Sequence, residues 1–152
     1  MQEAQEETGM SQTISKAEYE KLASFRYALR QFLRFSETAS RQAGIAPQQH
    51  QALLAMAGYP DREQITTGEL AERLQLRHHS TVELIDRLVA QDLVARESGV
   101  EDRRQVYVSL TPKGHDVLAR LSMIHRHELK RIGPQLNLML KQLSIDDATD
   151  SN

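Results

Sequence analysis

Cysteine is absent from these 152 residues. That excludes disulfides, thiol redox sensing and thiolate metal sites, and it fits a cytoplasmic chain. Tryptophan is absent too, and aromatics make up only 5% of the residues. Leu, Ala, Val and Ile must therefore fill the core, as is common in helical proteins. No apolar run approaches the ~20 residues that a membrane span needs. Met1 to Gly9 carries Glu3, Glu6 and Glu7 but neither Lys nor Arg, unlike a secretion signal. A Gly-rich phosphate loop, a nucleophile elbow and a clustered metal motif are all missing, which points away from an enzyme.

A strong basic excess is missing as well, since the formal net charge is −2. The charge is unevenly spread, however. Glu3, Glu6, Glu7, Asp146, Asp147 and Asp150 lie in the two ends, whereas all 19 Lys and Arg fall between Lys16 and Lys141. The body of the chain is thus basic, and any electrostatic attraction for nucleic acid must be local.

What is present is helical periodicity. Leu22, Phe25, Leu29, Phe32 and Ser36 recur at helical spacing from Lys16 to about Gln42, with Tyr19, Ala28, Phe35 and Ala39 alongside. This stripe is wide enough to need partners on more than one side. Gly44 ends the helix. Pro47 opens a second helix that runs to about Ala57. Thr66 and Glu69 have capping-box spacing at the head of a third, which carries Leu70, Ala71 and Leu74. A fourth spans His78 to about Gln91, with Thr81, Leu84, Ile85 and Leu88 as its inward stripe.

Leu93 to Glu97 and Gln105 to Leu110 read as strands. The connection from Ser98 to Arg104 is too long for a two-residue turn, so the hairpin tip projects. Thr111-Pro112 pairs an N-cap with proline at the first helical position. The helix after it is expected to reach about Ile132 and to break at Gly133-Pro134, before a last helix carrying Leu136 to Leu143. The fold class is mainly α with a small β-hairpin wing. It is a winged helix-turn-helix lobe joined to a helical dimerisation region.

In such a lobe the second helix of the pair can enter a DNA major groove while the hairpin reaches the neighbouring backbone. Opposite the inward stripe of the fourth helix lie His79, Val82, Glu83 and Asp86, flanked by His78, Ser80 and Arg87. Glu can accept from cytosine N4 and Val can touch a thymine methyl. The alternative is an ordinary solvated helix face. At the hairpin tip Arg103 and Arg104 are the charge candidates, one for DNA and the other for pairing with Asp102; a solvated turn is the alternative. Arg77 and Arg96 are phosphate-contact candidates, with a plain surface position as the other reading for each, and Asp86 and Arg87 are candidates for a structural link between this helix and the wing.

Six histidines are present. No two have the i, i+4 spacing of a helical chelate, and His125 and His127 point about 200° apart on a helix. A metal held across helices by His50, His115 and a carboxylate remains a variant, but surface or boundary positions are the default, and no cofactor or metal is expected.

Glu69-Leu70-Ala71, Ser80, Leu84 to Leu88, Leu93-Val94, Asp102-Arg103-Arg104 and Leu110 to Gly114 occur in an order and spacing that resembles the MarR family of winged-helix regulators. The resemblance covers about residues 16–143. It implies one domain over 15–143, with a winged helix at about 47–110 and dimerisation helices at about 16–43 and 111–143. The flanks are a disordered N-terminal tail, 1–14, and an acidic C-terminal tail, 144–152.

It also implies a homodimer on double-stranded DNA, its two reading heads ~34 Å apart on a pseudo-palindromic operator. The DNA-contact set is then Arg77, His78, His79, Ser80, Val82, Glu83, Arg87, Arg103 and Arg104, with Asp102 holding the wing. The function implied is repression, released by a small phenolic or anionic effector. Phe25, Tyr27, Arg30, His50 and Leu53 are its candidate lining, with plain core and surface as the other reading. Asp92 and Gln75 stand where the family often has glycine, and the resemblance implies a left-handed backbone at Asp92. Two readings compete with the DNA-binding repressor: a winged-helix protein-interaction module and a metal-responsive regulator.

Overall fold

The computed structural model describes residues 13–149. Its elements follow the order α1 (Lys16–Gln42), α2 (Pro47–Ala57), β1 (Ile65–Thr66), α3 (Thr67–Leu74), α4 (His78–Ala90), β2 (Val94–Ser98), β3 (Val106–Leu110) and α5 (Pro112–Thr149). Local chemistry sets most of the boundaries. Ser15 starts α1: its hydroxyl accepts from the Glu18 N–H at 3.2 Å, and its own N–H donates to the Glu18 carboxylate. Gly44, at φ +85°, closes α1, and the Ile45 N–H turns back to the Ser40 carbonyl. Thr66 caps α3 reciprocally with Glu69, as the spacing predicts.

The sheet has three strands in the order β1-β3-β2, all antiparallel. Val94 faces Leu110 and Ser98 faces Val106, so the two long strands form the expected hairpin. The two-residue β1 is an addition to the expected elements: Ile65 pairs with Val108 and Thr66 with Tyr107. Thr66 therefore ends a strand and caps a helix at once.

By internal contacts the described residues form two compact units, residues 13–31 with 132–149, and residues 32–131. In the second, Leu53, Met56, Ile65, Leu70, Leu84, Ile85, Leu88, Leu93, Val108 and Leu121 are at most 2% exposed and make one core. The inward stripe of α4 is buried as expected, Thr81 included. The same unit leaves Leu33, Met123, Ile124 and Leu129 largely exposed. In the first unit, Tyr19, Leu22, Tyr27, Leu138 and Leu140 are similarly exposed. Among the described residues, no helix is long and apolar enough to cross a membrane.

The expected break at Gly133-Pro134 does not occur: α5 is one helix of 38 residues with Pro134 inside it. Proline disfavours a helical residue before it chiefly by colliding with that residue's Cβ and N–H. Gly133 has no Cβ, so part of that restriction is absent. The helix also continues through Thr149, past Ser144, where an acidic tail was expected to start. Residues 1–12 of the expected N-terminal tail and 150–152 of the C-terminal one lie outside the described residues.

Candidate nucleic-acid interface

α4 is amphipathic along its whole length, and this decides which side chains it offers. With Thr81, Leu84, Ile85 and Leu88 buried, the 3.6-residue period puts His79, Val82, Glu83 and Asp86 on the outward face. His79, Ser80 and Glu83 are exposed, as are His78, Arg77 and Arg87. Arg77 is the N-cap residue and caps through backbone geometry alone; its carbonyl accepts from the Thr81 hydroxyl at 3.0 Å. At 13 residues the helix is about 20 Å long, a length a major groove accommodates.

Two contacts organise the outward face. His79 Nε2 lies 3.2 Å from a Glu83 carboxylate oxygen, one helical turn away. Asp86 is paired with Arg96 of β2, which ties α4 to the wing. Arg96, expected as a phosphate contact, thus has a partner within the protein. Beside this face an open groove of about 520 Å³ is lined by Thr66, Thr67 and Gly68 at the head of α3, His78, Val82 and Ile85 of α4, and Arg96, Arg104, Gln105 and Val106 of the wing.

The wing tip is closed by backbone bonds, Gly99 N–H to the Gln105 carbonyl and Gln105 N–H to the Asp102 carbonyl. The Asp102 carboxylate accepts from the Arg104 backbone N–H at 3.0 Å. Pairing between Asp102 and one of the two arginine side chains was expected; the carboxylate holds the turn through the main chain instead. Among the described residues, neither the Arg103 nor the Arg104 guanidinium makes an ion pair, and both residues are exposed.

The base of the wing is fastened to the head of α5. The Thr111 hydroxyl donates to the Asp92 carbonyl at 2.6 Å and accepts from the Gly114 N–H at 3.0 Å. Lys113 Nζ donates to the Gln91 carbonyl at 3.0 Å, a cation on the last carbonyls of α4. At the head of α3, burial pushes the Glu69 carboxyl up. Donors outweigh it: the Tyr59 hydroxyl, the Thr66 backbone and hydroxyl, and the Arg62 guanidinium. Together they hold it at about 2.

The effector candidates divide between the two units. On α1, Phe25 is half-buried, while Tyr27 and Arg30 are exposed. On α2, Leu53 is fully buried in the core and His50 is 5% exposed. His50 belongs to a cluster that the sequence does not reveal. Its ring lies 4.7 Å from that of His125, which is edge-on to Phe32 and Phe35. His125 bridges two acceptor sites, with Nδ1 2.7 Å from the Leu121 carbonyl and Nε2 2.7 Å from the Ser36 hydroxyl. A carbonyl only accepts, so Nδ1 carries a proton and Ser36 donates to Nε2 when the ring is neutral. Burial, and next the neighbouring His125, lower the His50 pKa. No sequence spacing joins positions 50 and 125. Among the described residues, no group of three or more His, Cys, Asp or Glu is gathered as a metal site.

Known proteins share this architecture. Residues 43–105, which hold α2, the helix-turn-helix and most of the wing, match the MarR family. The repressor MdtR of Bacillus subtilis, an HTH-type transcriptional repressor, is 31% identical over 71 residues, 47% of this chain and 44% of that protein. The chain spans about half the length of the curated relatives it matches. Among solved structures, AbsC of Streptomyces coelicolor, a MarR family transcriptional regulator, superimposes with a TM-score of 0.73 at 17% identity, covering 91% of this chain and 93% of AbsC. A point mutant of MepR from S. aureus, bound to an oligodeoxyribonucleotide, gives 0.63 at 19% identity over 88% and 98%. MarR of Staphylococcus aureus, in complex with salicylate and kanamycin, gives 0.68 at 20% identity over 88% and 90%. In its winged helix, over residues 43–105, the chain is similar to the MarR family.

Proposed function

We propose that this protein is a sequence-specific DNA-binding transcriptional regulator that works as a homodimeric repressor. The observation that carries the reading is the outward face of α4 set beside a wing whose Arg103 and Arg104 guanidinium groups are not engaged within the described chain. A polar reading helix with unengaged cations a short distance away is what groove entry and phosphate contact require. The oligonucleotide bound to the MepR mutant supports it by analogy of fold. Exposed Tyr19, Leu22, Tyr27, Leu138 and Leu140 in one unit, and Leu33, Met123 and Ile124 in the other, supply apolar surface for a second copy.

Release by a small phenolic or anionic effector is the accompanying proposal, supported by the salicylate held by the S. aureus neighbour. An effector that favours one spacing of the reading heads weakens operator binding, and by linkage the operator weakens effector binding equally.

The test is binding of purified protein to short duplexes tiled across the DNA flanking its gene, at two salt concentrations. Tight, salt-sensitive binding to one tile over its neighbours is expected, because phosphate contacts release counterions. Weak binding that is the same for every tile and insensitive to salt would sink the reading.

A further inference from the structure

On the outward face of α4 the two carboxylates are compensated in different ways. An acid that enters a DNA groove meets a dense array of phosphates, and an uncompensated carboxylate there is repelled. Asp86 is neutralised by Arg96, a guanidinium charged at every accessible pH. Glu83 has His79, 3.2 Å away, and among the described residues no other cation lies within ion-pair distance of it. Histidine is the side chain whose charge changes between pH 5 and 8. One acid on this face is thus permanently compensated and the other conditionally.

We infer that His79 and Glu83 form a proton-gated reading pair, so that DNA binding takes up a proton on His79 in each protomer. The inference rests on the DNA-binding reading above. With His79 protonated, its Nε2–H donates to one Glu83 oxygen. That leaves the other oxygen to accept from an N4 amino group of cytosine, the base edge a carboxylate fits. The pair then enters the groove with no net charge. With His79 neutral, the same carboxylate enters as an anion. Phosphates close to the ring favour its charged form, so binding and protonation reinforce each other.

The other charges around the pair do not substitute for His79. On α4 itself, Arg77 precedes the helix, His78 lines the groove on the other side of Val82, and Arg87 lies on the flank. From the wing, Arg96 is taken by Asp86, Arg104 lines the groove with His78, and Arg103 is at the tip. From the head of α3, Thr66, Thr67 and Gly68 bring no charge, and Glu69 is held by Arg62.

The experiment uses the full-length protein and a duplex that it selects from a randomised library at pH 6. Calorimetry in buffers of different ionisation enthalpy counts the protons exchanged, and titrations at pH 6 and pH 8 give the affinity at each. Uptake of up to one proton per protomer is expected, with affinity about tenfold or more tighter at pH 6 than at pH 8 for two linked sites. His79→Gln should lose both the uptake and the pH dependence, and at pH 6 it should bind about as weakly as the parent protein does at pH 8. Glu83→Gln should bind more tightly than the parent at pH 8, which narrows the pH dependence, and lose its preference for cytosine at one position per half-site.

The His79 side chain is 85% exposed, so unchanged thermal melting is the control for folding. Tight binding without proton uptake, or uptake that survives His79→Gln, would overturn the inference and leave the DNA-binding reading standing. Failure to select any duplex at either pH would overturn both.

Discussion

A Cβ placed on Gly114 would stand 2.0 Å from the Leu93 carbonyl oxygen. The first turn of α5 therefore lies directly against the backbone leading into β2, a distance only glycine allows. Three polar links hold the two segments at that distance: Thr111 N–H to the Leu93 carbonyl, Thr111 hydroxyl to the Asp92 carbonyl, and Lys113 to the Gln91 carbonyl. Because the contacted atom is backbone, no rotamer change relieves the overlap. Gly114→Ala must move the helix or the strand, and the expected cost is about 2–3 kcal/mol of unfolding stability, the upper part of the overpacking range. Urea unfolding of the parent and variant measures it. A loss below about 0.5 kcal/mol would show that the segment yields freely.

His50 makes stability depend on pH in a defined direction. Its pKa lies below the ordinary 6.5 because burial, and then His125, disfavour the charged ring. As the pH falls through 6.5 the unfolded chain takes up the proton first, so folding stability declines from there until the folded-state pKa is passed. Above that window the cluster is fully stabilising. The urea midpoint should fall between pH 7.5 and pH 5, and His50→Gln should remove that part of the slope. A variant with the parent's pH profile would show that another group carries it.

The legible parts of this fold are those set by local pattern. The buried stripe of α4 follows from Thr81, Leu84, Ile85 and Leu88, and the Thr66-Glu69 and Thr111-Pro112 caps follow from short-range spacing. Asp92, where the resemblance implies a left-handed backbone, has φ 58°, and Gln75 has φ 55°. The missed parts depend on neighbours distant in sequence. β1 is two residues long, too short for alternation to register, and exists because Val108 and Tyr107 pair with it. The helix through Pro134 turns on its neighbour Gly133, which reads as a second breaker but removes a clash. The link from Asp86 to the wing was expected, but its partner Arg96, 10 residues on, was not, and no periodicity connects His50 with His125, 75 residues apart.

Glu69 gives the acid limb of the stability profile. Donors from Tyr59, Thr66 and Arg62 overcome the effect of burial and hold its carboxyl at about 2, below the ordinary 4.5. A depressed carboxyl pKa contributes stability that is complete above 4.5 and is lost as the pH falls toward 2. Glu69→Gln should therefore be less stable than the parent at neutral pH, with the gap closing across that window. Acid titration of both proteins, followed by circular dichroism, tests this. A gap that stays constant down to pH 2 would mean that the ionised carboxylate is not what stabilises the head of α3.

If the proposed function holds, Arg103 and Arg104 should separate DNA affinity from folding. The Asp102 carboxylate holds the wing turn through the Arg104 backbone N–H, so removing either guanidinium leaves that bond in place. The two also differ in position, since Arg104 lines the groove beside His78 and Val82 and Arg103 does not. On the proposed DNA-binding function, Arg103→Ala and Arg104→Ala should each retain the parent's melting temperature and oligomeric mass while weakening binding to the selected duplex by about 1–3 kcal/mol. The larger loss is expected for Arg104. If one arginine contacts only phosphate, its removal should weaken all duplexes alike and lower the salt dependence by about one counterion per site. Gel-shift titrations on the preferred tile and a scrambled duplex at two salt concentrations distinguish these outcomes. An Arg103→Ala protein that unfolds or dissociates would show that the tip is structural instead.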